Sequence, residues 1–362
     1  MIDNIEACLM LGSYMDTIGY NNGKYEFNFN TNTFNDNAAY DIWIRIITDF
    51  ASNNGFNNIN IKNLRASDDT IMMIHCGYIM LQDKIDTNTY IKQYTLAYKD
   101  LIKKERGNGI RLIRSLEYYN KFGIKGYKDI YMIDGGGNGA AMRACVFGIR
   151  FKDDISELIS HSIQSAKYTH NNPYGYLGSM AVALIISYAL KKINPNIWID
   201  NILDIYNNNT VFNKIKQIIK KEERNEFENF FIILEQFNNK YIKENNFNQS
   251  EIFNLVKKYE PAFERNSDYS MYGQSGVGLI VAVMFNIMNS IKYQDKKYIV
   301  NFNKSLIFSS LCFGDSDTIG MVVGNIIGCM TGYEFIKHIN FKDLEFYNEI
   351  KILSKKLYKK IS

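Results

Sequence analysis

Three stretches of this chain, residues 175–190, 276–291 and 319–330, are apolar on nearly every side when they are drawn as helices. A helix with this pattern has no face for water and must be surrounded by other elements. The chain has only three prolines in 362 residues, so little in the sequence interrupts helices. The sequence therefore predicts an all-α fold, a bundle with these three helices at its centre and with minor strands at most.

Glycines recur at every fourth position in the last of these stretches. Gly320, Gly324, Gly328 and Gly332 fall on one helix face, where the missing side chains let a neighbouring backbone approach closely. Paired membrane helices use the same spacing, but Asn325 interrupts the apolar run and acidic residues precede it. The pattern favours close packing inside a soluble bundle.

Charge and cysteine content exclude several classes of function. A net charge of +4 from 42 basic and 38 acidic residues is not typical of a nucleic-acid-binding protein. The five scattered cysteines lack a C-x-x-C pair and predict free, buried thiols in a reducing compartment, so we expect a cytoplasmic protein. The run 277–288 is too short to cross a bilayer, and the first residues are acidic where a signal peptide is basic. We expect no nucleic-acid partner, no membrane association and a monomer.

Residues 191–265 differ in composition from the rest, being rich in Lys, Glu, Asn and Phe with few small side chains. Helices are predicted there over 215–234 and 250–259. Because the segment carries no sign of a core of its own, it resembles a peripheral helical layer or insertion. We therefore expect residues 1–362 to form a single domain.

Two short runs of oxygen-bearing side chains precede predicted helices, at residues 67–70 (Ser-Asp-Asp-Thr) and 314–318 (Gly-Asp-Ser-Asp-Thr). Either run alone is more typical of a helix cap than of a metal site. If both lie in one cleft, however, four carboxylates repel one another unless cations lie between them. Carboxylate and hydroxyl oxygens select Mg²⁺ or Mn²⁺ over zinc or copper. The pair of clusters predicts a binuclear site that could orient a diol or activate water.

A glycine-rich loop, residues 135–139 (Gly-Gly-Gly-Asn-Gly), lies between the two clusters. Such a loop can present several backbone N–H groups to an anion, although a tight turn explains it equally well. It lacks the lysine of a P-loop and the spacing of a dinucleotide fingerprint. His170, just before the buried helix 175–190, could bind a phosphate or ribose, but a lone histidine is more often structural.

Taken in order, five motifs resemble the ADP-ribosylglycohydrolase family. They are residues 15–19 (Met-Asp-Thr-Ile-Gly), 67–70, 137–143 (Gly-Asn-Gly-Ala-Ala-Met-Arg), 169–170 (Thr-His) and 314–318. The resemblance covers nearly the whole chain, and each motif alone would be a weak signal.

Two longer stretches, residues 19–27 and 168–178, are similar to the ADP-ribosylarginine hydrolase branch of that family. At residues 277–280 the chain departs from the family, with Val-Gly-Leu-Ile in place of Gly-His-Asp-Ala.

The resemblance implies an all-α orthogonal bundle around a binuclear centre of two Mg²⁺ ions, with Mn²⁺ as an alternative. It implies a hydrolase that removes ADP-ribose from mono-ADP-ribosylated proteins, with arginine as the favoured linkage. ADP-ribosylated proteins and ADP-ribose would be its partners. Hydrolysis of ADP-ribosylserine or of O-acetyl-ADP-ribose remains an alternative, and so does a pseudo-enzyme that binds ADP-ribose without cleaving it. Because all four acids of the two clusters are present, the sequence favours activity.

The resemblance also implies roles for individual residues. The metal ligands would be Ser67, Asp68, Asp69, Asp315, Asp317 and Thr318. The catalytic carboxylates would be Asp68, Asp69 and Glu26, of which Glu26 would lie on a mobile loop that gates the metals. The ligand-binding residues would be Gly135, Gly136, Gly137, Asn138, Gly139, His170, Tyr269, Ser270, Gly273 and Ser275.

Overall fold

The computed structural model of the protein describes residues 1–26, 36–107, 110–122, 130–245, 247, 272–295 and 297–362. These residues form sixteen α-helices and one short β-hairpin. The first eight helices are α1 (Ile2–Tyr20), α2 (Asp36–Asn53), α3 (Asp68–Met80), α4 (Thr87–Lys103), α5 (Ile110–Phe122), α6 (Cys145–Arg150), α7 (Ile155–Lys167) and α8 (Pro173–Leu190). The other eight are α9 (Trp198–Asn208), α10 (Thr210–Ile218), α11 (Arg224–Phe237), α12 (Gly276–Ser290), α13 (Phe302–Phe308), α14 (Ser316–Thr331), α15 (Tyr333–Ile336) and α16 (Tyr347–Ile361).

The all-α prediction is confirmed, and the three helices expected at the centre are found there. Every residue of α8 is buried, and α12 and α14 are buried along nearly their whole length. Helix α8 begins two residues earlier than predicted because Pro173 occupies its first turn and the Asn172 side chain caps it by accepting from Tyr174 N. The hairpin pairs β1 (Ile291–Gln294) with β2 (Lys297–Val300) in antiparallel register.

One helix in the described part of the chain, α8, is long and apolar enough to cross a membrane by length and composition. All of it is buried inside the protein. The core helix of a globular protein has the same two properties, so this is weak evidence for a membrane span.

The glycines spaced by four in α14 lie against α1, and the two helices run antiparallel. A Cβ atom at Gly328 would lie 2.3 Å from the Ala7 carbonyl oxygen, and one at Gly324 would lie 2.5 Å from that of Leu11. No side chain fits at either position without moving the backbone of α1. The close packing predicted from the glycine spacing is present, and it fixes the register of α14 along α1.

Helices α9, α10 and α11 lie in the segment expected to form a peripheral layer, and α11 packs against the central helix α8. The prediction of one helix over 215–234 is wrong, because α10 ends at Ile218 and α11 begins at Arg224. The break lets Glu223 turn inward, where it is buried and its carboxylate lies 3.5 Å from the Tyr176 hydroxyl. The helix predicted at 250–259 lies outside the described residues.

All five cysteines are buried and free. Burial raises the pKa of the Cys8, Cys145 and Cys312 thiols well above the usual value. Such thiols react slowly, because the thiolate is the nucleophilic form.

Candidate functional site

The register of α14 against α1 places the end of one helix beside the beginning of the other. Ser316, the first residue of α14, donates from Oγ to the carbonyl oxygen of Gly19 near the end of α1, at 2.8 Å. Two left-handed residues, Asn21 (φ 41°) and Asn22 (φ 54°), then turn the chain back. The turn brings Glu26 to the start of α14.

Glu26, Asp315 and Asp317 form the tightest acidic group in the described part of the chain. One carboxylate oxygen from each lies within 4.8 Å of the others. Asp315 and Asp317 are buried, whereas Glu26 is half-buried. The family resemblance implies that the two aspartates bind the metal and that Glu26 is catalytic, and the structure brings all three together.

The other acidic cluster is at the start of α3. Ser67 caps this helix, because its Oγ accepts from Asp69 N at 3.1 Å. Asp68 is half-buried at the first helical position, and Asp69 follows it in the buried interior. The cap geometry that the sequence suggested for this cluster is therefore present.

The two clusters meet through a single hydrogen bond that joins α14 to α3. Thr318 donates from Oγ1 to Asp69 Oδ2 at 2.8 Å, across 249 residues of sequence. The six residues assigned to metal binding therefore lie at two helix N-termini that touch. Both N-termini point positive dipole ends into the same cleft, where they favour negative charge.

Asp16 on α1 anchors the first cluster and had no role in the sequence analysis. Both of its carboxylate oxygens accept from Ser67 N, at 3.3 and 3.2 Å, and Oδ2 accepts from Thr70 Oγ1 at 2.5 Å. The side chain is fully buried. Its place in the Met-Asp-Thr-Ile-Gly motif was the available signal, but its partners lie 51 and 54 residues away.

Burial and mutual repulsion oppose ionisation of these acids. Burial raises the pKa of Asp16 to about 6. Burial, with the charge of Asp16 next in importance, raises the pKa of Asp68 to about 7. Burial together with Asp315 and Asp68 raises the pKa of Glu26 to about 9, and burial raises the pKa of Asp69 and of Asp317 well above the usual value. The protein thus concentrates acidic groups where their ionisation is costly unless a positive charge is bound.

No lysine, arginine or histidine forms an ion pair with any of these carboxylates among the described residues. A buried carboxylate without a counter-charge is costly to ionise. A hard divalent cation supplies that charge and prefers carboxylate and hydroxyl oxygens as ligands. The donor set therefore fits Mg²⁺ or Mn²⁺, which Glu26, Asp315 and Asp317 would hold together with the side chains at the start of α3.

The glycine loop pairs with the chain that leads into α12. Asn138 N donates to Gln274 O at 2.9 Å, and Gly276 N donates to Gly136 O at 3.0 Å. Ser275 lies in this pairing and caps α12 by accepting from Gly278 N at 2.8 Å. The loop and the stretch 273–275 are therefore neighbours, as their assignment to one ligand site requires.

Asn138 connects the glycine loop to the acidic cluster. Its Nδ2 donates to Gly273 O and to Asp315 Oδ2, both at 2.7 Å. The N–H groups of Gly136, Gly137 and Gly139 are not bonded to any described residue. These three groups remain available for an anion, whereas the N–H groups of Gly135 and Asn138 bond to Met132 O and Gln274 O.

His170 lies over the glycine loop. Its Nε2 would be 2.8 Å from a Cβ at Gly139 and 3.9 Å from one at Gly137, so glycine at 139 makes room for the ring. Burial, together with the positive charge of Arg143 and Arg111, holds the pKa of His170 well below its usual range. His170 is therefore neutral. Tyr269 and Ser270, also assigned to the ligand site, lie outside the described residues.

Arg143 is a second residue to which the sequence analysis gave no role, although it ends the motif 137–143. Its side chain is fully buried and lies over the ring of Tyr94, at 5.0 Å from the centroid. Nη1 donates to Gly139 O and Nη2 donates to Thr169 Oγ1 at 2.6 Å. It therefore ties the glycine loop to the turn that carries His170.

Comparison with known proteins shows the family and the fold of the chain. A family model described as ADP-ribosylglycohydrolase matches residues 1–362. A protein of Acanthamoeba polyphaga mimivirus that is named as an ADP-ribosyl glycohydrolase is 28% identical over 359 residues, which are 93% of this chain and 66% of that protein. ADP-ribosylhydrolase ARH1 of Dictyostelium discoideum is 31% identical over 208 residues, 54% of this chain and 50% of that protein. The chain thus spans less than two thirds of either relative's length.

A third relative, ADP-ribosylhydrolase ARH3 of Xenopus tropicalis, is 23% identical over 316 residues, 82% of this chain and 81% of that protein. A solved structure titled ADP-ribosylglycohydrolase-related protein complex superposes with a TM-score of 0.60 at 16% identity, covering 99% of both chains. At that identity the match shows a shared fold.

Proposed function

Because the chain belongs to the ADP-ribosylglycohydrolase family, we propose that it is a Mg²⁺-dependent hydrolase that removes ADP-ribose from arginine side chains of mono-ADP-ribosylated proteins. The observation that supports this most is the buried set of carboxylates at two touching helix N-termini, joined by the bond from Thr318 to Asp69. We further propose that it acts as a monomer in the cytoplasm.

In the proposed reaction, water attacks the anomeric carbon C1″ of ADP-ribose and the bond from C1″ to the guanidino nitrogen breaks. The water loses one proton to a carboxylate, and the leaving guanidino group takes up one proton, so free ADP-ribose and arginine result. Glu26, Asp68 and Asp69 are the candidates for the proton acceptor. Two bound Mg²⁺ ions, with Mn²⁺ as the alternative, would orient the ribose hydroxyls and stabilise negative charge.

The glycine loop would hold the diphosphate. The N–H groups of Gly136, Gly137 and Gly139 are suited to anionic oxygens, and His170 lies beside them. Asn138 belongs to the loop and its side chain bonds to Asp315 and to Gly273 O, so it would keep the diphosphate subsite at a fixed distance from the acids. Fixing the substrate in this way lowers the activation free energy of hydrolysis, because the substrate is already oriented when the reaction begins.

The choice of arginine rests on residues 19–27 and 168–178, which are similar to the ADP-ribosylarginine hydrolase branch. The first stretch includes the Asn21–Asn22 turn that carries Glu26 to the acids, and the second includes His170. Part of each stretch therefore lies at the site, where the linkage to the protein side chain would be recognised. ADP-ribosylserine and O-acetyl-ADP-ribose are the competing substrates.

One assay tests the proposal. Peptides carrying ADP-ribosylarginine or ADP-ribosylserine, and O-acetyl-ADP-ribose, are incubated with the protein in Mg²⁺, in Mn²⁺ or in chelator, and released ADP-ribose is measured. We expect release from the arginine peptide that stops in chelator and in the variant D68N/D69N. Faster release from another substrate would show that the preferred linkage is not arginine. Mg²⁺-independent binding of ADP-ribose without any release would identify a pseudo-enzyme.

A further inference from the structure

We propose that Arg143 and Thr169 are positioning residues that hold His170 as the tautomer protonated at Nε2, ready to donate a hydrogen bond to the diphosphate of ADP-ribose. The identity of the ligand rests on the proposed function. The tautomer itself follows from three side chains and one backbone carbonyl.

The hydroxyl of Thr169 lies between a cation and an imidazole. Arg143 Nη2 donates to Thr169 Oγ1 at 2.6 Å, and the same oxygen lies 2.8 Å from His170 Nδ1. A guanidinium group can only donate. Thr169 Oγ1 therefore accepts from Arg143, and its own hydrogen is free to point elsewhere.

Two acceptors compete for that hydrogen, and one is much better placed. The Ala166 carbonyl oxygen lies 3.5 Å from Thr169 Oγ1, at the edge of hydrogen-bond distance. It already accepts from Thr169 N at 3.0 Å and from His170 N at 2.7 Å. His170 Nδ1, at 2.8 Å, is the favoured acceptor, so Nδ1 carries no hydrogen and the neutral ring carries it on Nε2.

The opposite tautomer leaves a poorer set of bonds. With the hydrogen on Nδ1, His170 would donate to Thr169 Oγ1, which would then accept twice and direct its own hydrogen to the distant Ala166 oxygen. The doubly protonated ring is disfavoured because Arg143 holds a permanent positive charge nearby. The low pKa of His170 is consistent with this.

The hydrogen on Nε2 faces the glycine loop. Nε2 makes no hydrogen bond to another residue in the described ranges, and it lies where a Cβ at Gly139 would come within 2.8 Å. The free N–H groups of Gly136, Gly137 and Gly139 are on the same loop. An Nε2–H donor therefore adds to a set of donors, whereas an unprotonated Nε2 would repel an anionic oxygen.

Arg143 also fixes the distance between the two parts of this subsite. Nη1 donates to Gly139 O and Nη2 to Thr169 Oγ1, so one planar group spans the loop and the histidine turn. Lysine cannot reproduce that fork. Arg143 is buried away from solvent, so its role is to orient the donors, and it does not meet the substrate.

The tautomer is measured by ring-nitrogen NMR on protein labelled with ¹⁵N-histidine. The chain has four histidines, and the His170→Gln variant identifies the signals of His170 by their loss. We expect a protonated Nε2 and an unprotonated Nδ1 in the ligand-free wild type. Thr169→Val, which removes the hydroxyl and keeps the shape, should give a mixture of tautomers, and Thr169→Ser should restore the wild-type spectrum.

Binding of ADP-ribose in Mg²⁺ is then measured by calorimetry. Thr169→Val and Arg143→Lys should weaken it about tenfold, the size expected for a misdirected donor to a charged group. Thr169→Ser should bind as the wild type does. Thr95→Val is the matched control, because the Thr95 hydroxyl bonds only to Ile91 O within α4.

A wild-type ring protonated at Nδ1, or a tautomer that Thr169→Val leaves unchanged, would overturn the proposal that Arg143 and Thr169 set the tautomer of His170. This holds whatever the protein binds. The wild-type spectrum, assigned through His170→Gln, decides this even if Thr169→Val fails to fold. If the wild type binds no ADP-ribose while the tautomers shift as expected, the proposed function fails. The control of the His170 tautomer by Arg143 and Thr169 is then still supported.

Discussion

The two acidic helix starts have similar sequences but differ in what their side chains do. At α3, Ser67 makes an ordinary cap bond to Asp69 N, and Asp16 accepts from the backbone of Ser67. At α14, Asp315 occupies the cap position, but its side chain makes no capping bond. Its Oδ2 accepts instead from Asn138, on the far side of the cleft.

The difference separates two uses of the same residue types. The cluster at α3 stabilises its helix and offers the remaining oxygens to a ligand. At α14, Asp317 Oδ1 accepts from Thr318 N at 2.9 Å while Asp315 leaves the cap bond unmade, and both acids lie beside Glu26. A side-chain cap bond is typically worth about 1 kcal/mol, and under the proposed function Asp315 would bind a cation in place of that bond.

The largest expected effect is at the uncapped start. Asp315→Asn should lower turnover by about 10³-fold or more, because it removes a buried charge at the site of the reaction. Stability in chelator should hold or rise, since one of several repelling carboxylates is gone. Steady-state hydrolysis and thermal unfolding measure the two effects.

Asp154→Asn is the matched control for that variant. Asp154 is an exposed cap of α7 that accepts from Glu157 N, and asparagine caps as well as aspartate does. It should change neither quantity. A clear loss of stability with turnover retained in Asp315→Asn would show that Asp315 is structural, and the contrast between the two starts would fail.

A substitution at Glu26 tests whether the proton acceptor lies beside the start of α14 or at the start of α3. Glu26→Gln should lower turnover about 10²-fold and leave ADP-ribose affinity within about twofold, as for loss of a general base. Hydrolysis rates measure the turnover, and calorimetry measures the affinity for ADP-ribose. If affinity for Mg²⁺ falls instead while turnover at saturating Mg²⁺ is normal, Glu26 is a ligand alone and the base belongs to α3.

The pH dependence of stability tests the charge itself. The pKa of Asp16, Asp68 and Glu26 is raised in the folded protein, to about 6, 7 and 9. The unfolded chain ionises near pH 4, so metal-free protein should lose stability as pH rises from about 4 through these values. Mg²⁺ should abolish that loss, because the carboxylates then ionise in the folded state too. Unfolding in chelator that grows more difficult between pH 5 and 8 would contradict this.

The smallest effect belongs to the capped start. Ser67→Ala should lower the free energy of unfolding by about 1 kcal/mol through loss of the cap bond. Urea unfolding in chelator measures it, with Ser52→Ala as a control that loses only a solvent-exposed bond to Thr48 O. Unchanged stability together with much weaker Mg²⁺ binding would show that Ser67 is a ligand and not a cap.

Local patterns in the sequence predict the helices and the composition of the site well. The spacing of Gly320, Gly324 and Gly328 predicts a close helix neighbour, and the acid runs predict charge that needs a cation. Neither pattern predicts which residues elsewhere in the chain make the contact. That Gly324 packs on Leu11, or that Thr318 bonds Asp69, depends on contacts between distant parts of the chain.

The residues without an assigned role share that property. Asp16 and Arg143 each stand in a motif, but their function lies in the groups they bond, Ser67 and Thr70 for one, Gly139 and Thr169 for the other. The break before α11 is not visible in the sequence for a similar reason, since Glu223 turns inward toward Tyr176, a tertiary contact 47 residues away.

The pairing of α1 with α14 also sets the order of events when the chain is made. Asn325 donates to Cys8 O across 317 residues, so α1 leaves the ribosome long before its partner exists. At about 5–20 residues per second the wait is roughly 15 to 60 s. During that time the buried face of α1 has no native neighbour in α14, and the cleft cannot be assembled until α14 has been synthesised.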